Sequence, residues 1–227
     1  FVRRFQSSRH DVSLPNGNRV DISTKEGVNA LLQQADGFNF FSETVKKLNM
    51  SQNNGRRMKF KTKSKLISVF RLFAQNTDQA LFREKIPELE IQCWLDYVIE
   101  GIKGLTTNKS WIQTGHVTDA WLLLEPCAFL FCHAVPVVLA FESEFFQVLS
   151  SFIKVRKESD GRAMPSTRLC NQIALLVSSA FTVSVVGFEN NWSSEKSFKK
   201  LEASGILEEF LRCATPSHPG PGRWDNV

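Results

Sequence analysis

Apolar residues recur at three- and four-residue steps along most of this chain, the spacing that places side chains on one side of an α-helix. The first such run begins at Val28, and Ser23 and Glu26 ahead of it have the spacing of a capping box. A second run occupies residues 38–48. The alternating segment 59–63 is short and has no partner run with which to form a sheet. The pattern therefore predicts an all-α fold.

Two long stretches, residues 120–141 and 173–188, are apolar or small at nearly every position. A helix that is apolar on all sides belongs inside a protein or in a membrane. The first stretch is long enough to span a bilayer, but it contains Glu125, whose carboxylate costs a few kcal/mol to insert. We therefore predict a buried helix pair that is broken at Pro126 or Pro136, with a membrane span as the alternative.

A unit recurs along the chain: a long apolar helix, a polar break and a shorter amphipathic helix. The shorter helices are predicted to begin near Phe38, Leu89, Phe145 and Ile206. Neighbouring starts are 51, 56 and 61 residues apart, so the repeat is irregular. A single unit of this kind cannot cover its own apolar side, and neighbouring units would stack to share one core.

Residues 197–213 resemble the armadillo repeat motif, in which a short helix ends in Glu-Ala-Gly and a second helix begins with Ile or Leu and continues to paired Leu. Here Ser204 precedes Gly205, and Ile206 opens the second helix, while residues 35–38 are a weaker copy. The resemblance to armadillo and HEAT-like repeat proteins implies a right-handed α-solenoid of about four irregular helical units.

On this interpretation the chain has three parts. Residues 1–22 form a polar N-terminal segment, residues 23–214 form the armadillo-like helical solenoid, and residues 215–227, with three Pro and two Gly, form a flexible C-terminal tail. The resemblance implies a non-catalytic protein-binding module, such as an adaptor, scaffold or regulatory subunit, that binds another protein on its concave helical face.

The best candidates for residues in that groove are Arg71 and Asn76, which lie at the end of a predicted inner helix. Peptide-binding armadillo proteins carry a ladder of Asn on their groove-lining helices. Here Asn76 is near the expected place and Asn171 is a poor second. A generic groove for extended peptides, as in nuclear import receptors, is therefore not expected.

The net charge of +5 is concentrated in one basic strip. Residues 51–77 contain no acid and seven basic residues: Arg56, Arg57, Lys59, Lys61, Lys63, Lys65 and Arg71. We expect a solvated loop that steers an acidic protein segment, and the strip also resembles a nuclear localisation signal. The alternative function is a basic helical domain that docks on acidic lipid headgroups or nucleic acid through residues 56–65.

The remaining chemistry favours an intracellular, cytoplasmic or nuclear, binding protein. Five cysteines without redox-motif spacing are expected to be reduced and buried. Cys127, Cys132 and His133 do not share a side of one helix, so no metal site is predicted, and no group orients Cys132 as a nucleophile. We expect His133 to be buried and hydrogen-bonded, and residues 208–209 to be a solvated acidic face. Motifs of hydrolases, zinc proteases and nucleotide-binding enzymes do not occur, so we expect neither catalysis nor a cofactor.

Overall fold

The computed structural model describes residues 11–13, 19–33, 36–53, 60–107, 117–160, 167–186 and 194–214. Eleven helices lie within these ranges: α1 (Lys25–Gln33), α2 (Asp36–Asn53), α3 (Phe60–Asn76), α4 (Gln79–Lys85), α5 (Glu88–Thr107), α6 (Val117–Leu130), α7 (Ala134–Glu142), α8 (Phe145–Asp160), α9 (Thr167–Val186), α10 (Ser194–Ala203) and α11 (Ile206–Ala214). Two short strands, β1 (Asp11–Ser13) and β2 (Arg19–Asp21), form an antiparallel pair ahead of them. The prediction of a mainly helical chain is confirmed.

The strand pair is an addition that the sequence pattern does not predict, because three residues per strand are too few to show alternation. Val12 pairs with Val20, and both side chains are buried together with Ile22. The second strand packs against α1. The approach is close at Gly27, where a Cβ would lie 1.8 Å from the carbonyl oxygen of Asp21. Glycine is therefore required here by space.

The residue that caps α1 differs by one position from the one that the sequence predicts. The N–H of Gly27 bonds to Oγ1 of Thr24 (3.1 Å), so Thr24 caps α1, while Ser23 donates both its N–H and its O–H to the Asp21 carboxylate. The carboxylate of Asp78 accepts N–H groups in the first turn of α4. Thr and Asp both accept backbone N–H groups well, so neighbouring polar residues compete for the capping position.

The first long apolar stretch breaks between α6 and α7, and the prediction that it breaks at Pro126 or Pro136 is wrong. Pro136 lies in the first turn of α7, where a missing N–H costs no helical hydrogen bond, and Pro126 lies inside α6. The chain turns instead at residues 131–133. There the N–H of His133 bonds to the carbonyl of Leu130 (2.9 Å), which tightens the end of α6.

Most helices that are three apart along the chain pack against each other. In a second row, α2 contacts α5, α5 contacts α8 and α8 contacts α11. In a third row, α3 contacts α6 and α6 contacts α9. A first row holds the short helices, with α1 on α4 and α7 on α10. The second-row helices begin at Asp36, Glu88, Phe145 and Ile206, which confirms the four predicted helix starts to within two residues. The prediction that these are the shorter helices is wrong for α2, α5 and α8, which have 18, 20 and 16 residues and are longer than the helices that precede them.

Aromatic rings fill the space between α2, α3, α4 and α5. Trp94 is fully buried, and its ring centroid lies 4.2 Å from that of Phe70. Phe41 contacts Phe70, Phe73 and Phe82 at centroid distances of 5.0, 5.9 and 6.3 Å. Truncation of one such ring to Ala costs about 3–5 kcal/mol. The unusual Phe content thus provides dry contacts between helices, as Phe lacks a hydroxyl that would need a partner.

Two glycines provide a matched test of the contact between the strand pair and α1. In Gly27→Ala the methyl group meets the Asp21 carbonyl and pushes the hairpin off α1, so we expect the free energy of unfolding to fall by about 2–3 kcal/mol. In Gly104→Ala nothing lies within 4 Å of the new Cβ. There the helix gains about 0.5–1 kcal/mol because Ala loses less backbone entropy. Urea denaturation followed by circular dichroism measures both, and changes of the same sign would contradict the hairpin contact.

Candidate functional site

The basic strip is only partly within the described part of the chain. Three of its residues lie outside the described residues: Arg56, Arg57 and Lys59. Lys61 and Lys63 belong to the first turn of α3, and Lys65 follows as an exposed side chain. Since one residue advances about 100° around an α-helix, positions 61 and 65 share a side of α3 and position 63 lies on the other. The alternating lysines are thus divided between two sides of a helix.

Arg71 forms an ion pair that links α3 to α6 in the third row. Its Nη1 lies 3.2 Å from Oε1 of Glu125, and the two side chains are 33% and 13% exposed. The Nε atom of Arg71 is buried and has no hydrogen-bond partner among the described residues. A guanidinium in this setting is positioned by its carboxylate and is costly to leave alone. The sequence-predicted groove residue therefore has a structural partner within the chain.

The second predicted groove residue, Asn76, is also bonded within the chain. Its Nδ2 donates to the carbonyl oxygens of Leu72, at 3.0 Å, and Ile22, at 3.2 Å. The second of these bonds ties the end of α3 to the segment that follows β2. Both amide hydrogens are used in this way, so a partner would find only the Oδ1 acceptor of this half-buried side chain.

The outward side of the third row is a candidate interaction face that the sequence predicts only in part. We call it the third-row face and define it by Lys65, Gln75, Phe129, Leu175, Ser178 and Thr182. Leu175 is 54% exposed, and Phe129 is partly buried. Leu175, Ser178 and Thr182 follow at three- and four-residue steps and form one stripe on α9. Nothing in the sequence distinguishes Leu175 from its neighbours, because it falls in a stretch that is apolar or small at nearly every position.

His133 lies at the turn between α6 and α7 and is 6% exposed. Its ring stacks on Phe82 at a centroid distance of 4.3 Å. Its burial is confirmed, but the predicted hydrogen bond is missing at Nδ1, which has no partner among the described residues. Burial lowers the pKa of His133 to about 4, and the nearby carboxylate of Asp78 only partly opposes this shift. The turn is closed by Gln79, whose Nε2 donates to the Cys132 carbonyl (2.7 Å).

Cys93, Cys127 and Cys132 are free thiols with different surroundings. Cys127 is buried, and desolvation raises its pKa to about 12. Cys93 is half-buried, whereas Cys132 is exposed, so the prediction of burial is wrong for Cys132. Partial burial raises the pKa of the Cys132 thiol, which is the opposite of activation for nucleophilic attack. The described residues contain no group of three or more side chains able to hold a metal ion.

The predicted solvated acidic face of α11 is half correct. Glu208 is exposed, but Glu209 is only 6% exposed. Both residues lie in the first turn of the helix, where backbone N–H groups favour a carboxylate. The N–H of Glu209 itself bonds to the Gly205 carbonyl (3.2 Å), and Gly205 has a φ of 71°, which favours glycine. Glu209 is thus part of the packed turn between α10 and α11.

Within the described ranges, no single helix has the length and apolar character needed to cross a membrane. Two helices reach this length and apolar character only when they are taken together: α7 and residues Phe145–Lys154 of α8. The chain bends by 70° between them.

Comparisons with protein-family models, with curated proteins and with solved structures find no match to this chain.

The ion pair of α3 and α6 predicts a specific loss of stability. Glu125→Gln keeps the side-chain shape but leaves the Arg71 guanidinium without its counter-ion, so we expect the free energy of unfolding to fall by about 1–2 kcal/mol. The matched control is Lys199→Gln, which removes an ion pair with Glu195 on side chains that are 70% and 75% exposed. There the expected change is below about 0.5 kcal/mol. Denaturant titration of both variants decides the matter, and equal losses would contradict a special role for the pair.

His133 predicts a loss of stability in mild acid. Its pKa is 6.5 in an ordinary setting and about 4 when folded, so the unfolded chain binds more protons between these values. The free energy of unfolding therefore falls as the pH is lowered from about 6.5 to about 4, by about 3 kcal/mol in total. In His133→Gln, which does not titrate, this part of the pH dependence should disappear. Stability curves of the two proteins measured from pH 7 to pH 4 with the same slope would contradict the assignment.

Proposed function

We propose that this protein is a non-catalytic protein-binding module built as a right-handed armadillo/HEAT-like α-solenoid of about four irregular units. The observation that carries the proposal is the packing of helices three apart along the chain, which is continuous in the second and third rows. In a stack of three-helix units, each helix contacts its counterpart in the next unit. Each unit would then contain one short helix and two longer helices. The units are α1–α3, α4–α6 and α7–α9, and α10 and α11 begin a fourth.

The burial of the middle units supports this interpretation. On α5 the buried residues run from Ile91 to Ile102 and cover about 200° of the helix circumference. A helix packed on one neighbour buries a stripe of little more than about 100°. Because α5 lies between α2 and α8, both of its flanks are covered, as expected for a helix inside a stack.

We propose the third-row face as the surface that binds the partner. With helix axes about 8–10 Å apart, three adjacent helices present a surface about 25 Å wide. The face combines the exposed Leu175 and the partly buried Phe129 with small polar groups such as Ser178 and Thr182. Protein interfaces have this mixture, with apolar anchors surrounded by groups that bond to water or to the partner. Lys65 at one edge would steer an acidic partner toward the face.

The engaged side chains of the predicted groove residues also favour recognition over chemistry. Arg71 is paired with Glu125, and Asn76 donates both amide hydrogens to carbonyls of the chain. These bonds fix the shape of the face, and fixed surfaces lose little entropy on binding. An intracellular location, in the cytoplasm or nucleus, is part of the same proposal. Its support is the free thiol of Cys127 in the packed interior.

Site-specific photo-crosslinking tests the proposed face. A photoreactive amino acid is placed at position 65 or 175 on the third-row face, or at the exposed position 46 on α2 as the control. In the native cell we expect positions 65 and 175 to crosslink the same protein and position 46 to crosslink much less of it. Equal crosslinking from all three positions would contradict the proposal. Crosslinking to nucleic acid or lipid at position 65 alone would favour the alternative, a basic domain that acts through residues 56–65.

A further inference from the structure

The short helix α4 has few attachments to the stack. Within its seven residues Phe82 is the buried side chain, whereas Gln79, Ala80, Arg83 and Glu84 are exposed. The helix packs along α1, but within the described ranges no comparable packing joins it to α7, its neighbour in the first row. The longer helices continue past this point, since α5 packs on α8 and α6 packs on α9. The first row is thus interrupted between α4 and α7.

Extended backbone separates α4 from the helices before and after it. Asp78 has φ −72° and ψ 138°, and Ile86 has φ −106° and ψ 111°, so helical hydrogen bonds do not run on from α3 or into α5. A helix of seven residues is marginal in water by itself, which means that α4 depends on docking for its helical form. Ile86 is 4% exposed and anchors the end that leads into α5. The helix can therefore leave the stack as one unit.

The contacts that dock α4 converge on the turn between α6 and α7. The ring of Phe82 stacks on the ring of His133, at a centroid distance of 4.3 Å and an interplanar angle of 12°. In the same turn, Nε2 of Gln79 donates to the carbonyl of Cys132 at 2.7 Å. The Phe82 ring also meets Phe41 of α2 edge-on, at 6.3 Å. A ring stack and a hydrogen bond thus connect α4 to the turn.

His133 takes part in this contact without a hydrogen bond from its ring to the helix that follows. It occupies the capping position of α7, yet its side chain makes no capping bond. A capping side chain bonds to the N–H of the second or third helical residue, and the third residue here is Pro136, which has no N–H. The buried Nδ1 has no partner among the described residues. The docked state therefore accepts the uncharged, stacked ring.

We propose that α4 is a strap that opens as a unit while the second and third rows stay packed, and that the stack of Phe82 on His133 is its latch. In the closed form the two side chains are 1% and 6% exposed. Opening brings both rings to the surface, so the first row then presents an aromatic surface that the closed form covers. The inference does not depend on the third-row face, because that face belongs to α3, α6 and α9.

Protonation of His133 provides a way to release the latch. Burial lowers the pKa of the ring from 6.5 to about 4, and opening returns the ring to water. The open form therefore binds protons at a pH where the closed form does not. The equilibrium constant for opening should rise about 20-fold between pH 7 and pH 5.

The charged groups around the turn do little to oppose this release. The carboxylate of Asp78 faces the imidazole and favours its protonated form, but it also accepts N–H groups of α4 and pairs with Lys25 of α1 at 3.3 Å. Residues 84 and 85 of α4 pair with each other at 2.6 Å. On the helices that meet at the turn, Glu125 of α6 belongs to the third-row ion pair and Glu142 is the last residue of α7.

Hydrogen exchange of backbone amides in the full chain measures the opening. At pH 7 we expect amides of α4 to be protected at least about tenfold less than those of α5, because α4 opens without global unfolding. Equal protection of the two helices would show that α4 exchanges only by global unfolding, and it would overturn the strap. After correction for the intrinsic exchange rates, an opening constant of α4 that does not change between pH 7 and pH 5 would overturn His133 as part of the latch.

A set of three variants assigns the latch to the two rings. In His133→Gln the rise in the opening constant of α4 between pH 7 and pH 5 should shrink to less than about twofold. Phe82→Leu removes the stacked ring and should raise that constant about tenfold at pH 7. The control Phe152→Leu changes an equally buried ring of α8 and should alter it less than about twofold. Equal effects of the two Phe variants on α4 would show a general loosening and overturn the latch.

Loss of crosslinking at positions 65 and 175 leaves the exchange of α4 unchanged, and a closed α4 leaves the third-row face unchanged. The two results are therefore distinguishable.

Discussion

The structure depends on covering both flanks of helices that are too apolar to face water. α5 shows the constraint most clearly, since its buried residues take up more than half of its circumference. A single partner helix would leave part of that arc exposed, at about 25 cal/mol for each Å² of apolar surface. Contacts with α2 on one side and α8 on the other solve the problem. The same solution applies to α6, which lies between α3 and α9.

Covering both flanks brings helix backbones close together, and small residues and a few polar contacts set how close. At Gly101 a Cβ would lie 2.7 Å from Cδ1 of Leu123, so the glycine lets α5 approach α6. In an interior filled with Phe and Leu, many sliding arrangements have similar energy. The ion pair of Arg71 with Glu125 and the bonds of Asn76 have directions, and they select one register of α3 against its neighbours. These directional contacts therefore constrain how α3 lies against α6 and against the segment that follows β2.

The sequence predicts the helices well because their periodicity is a property of each segment alone. The second-row starts at Phe145 and Ile206 agree with the structure to the residue. Features that depend on competition or on neighbours are predicted less well. Thr24 caps α1 although Ser23 has the same capability, and the chain turns at residues 131–133 although Pro126 and Pro136 stand nearby. Local chemistry is compatible with either capping residue and with a break at either proline. The packing of the neighbouring elements determines which of them the folded chain adopts.

Exposure is the property that the sequence determines least, and it decides the candidate sites. Leu175 and Leu176 are chemically alike and adjacent, yet one is 54% exposed and the other is fully buried, because among the described residues the helices that pack on α9 cover Leu176 and leave Leu175 largely open. Glu208 and Glu209 differ in the same way. Periodicity and charge spacing are properties of one segment, whereas exposure depends on the segments packed against it, so the surroundings of each side chain emerge only from the structure.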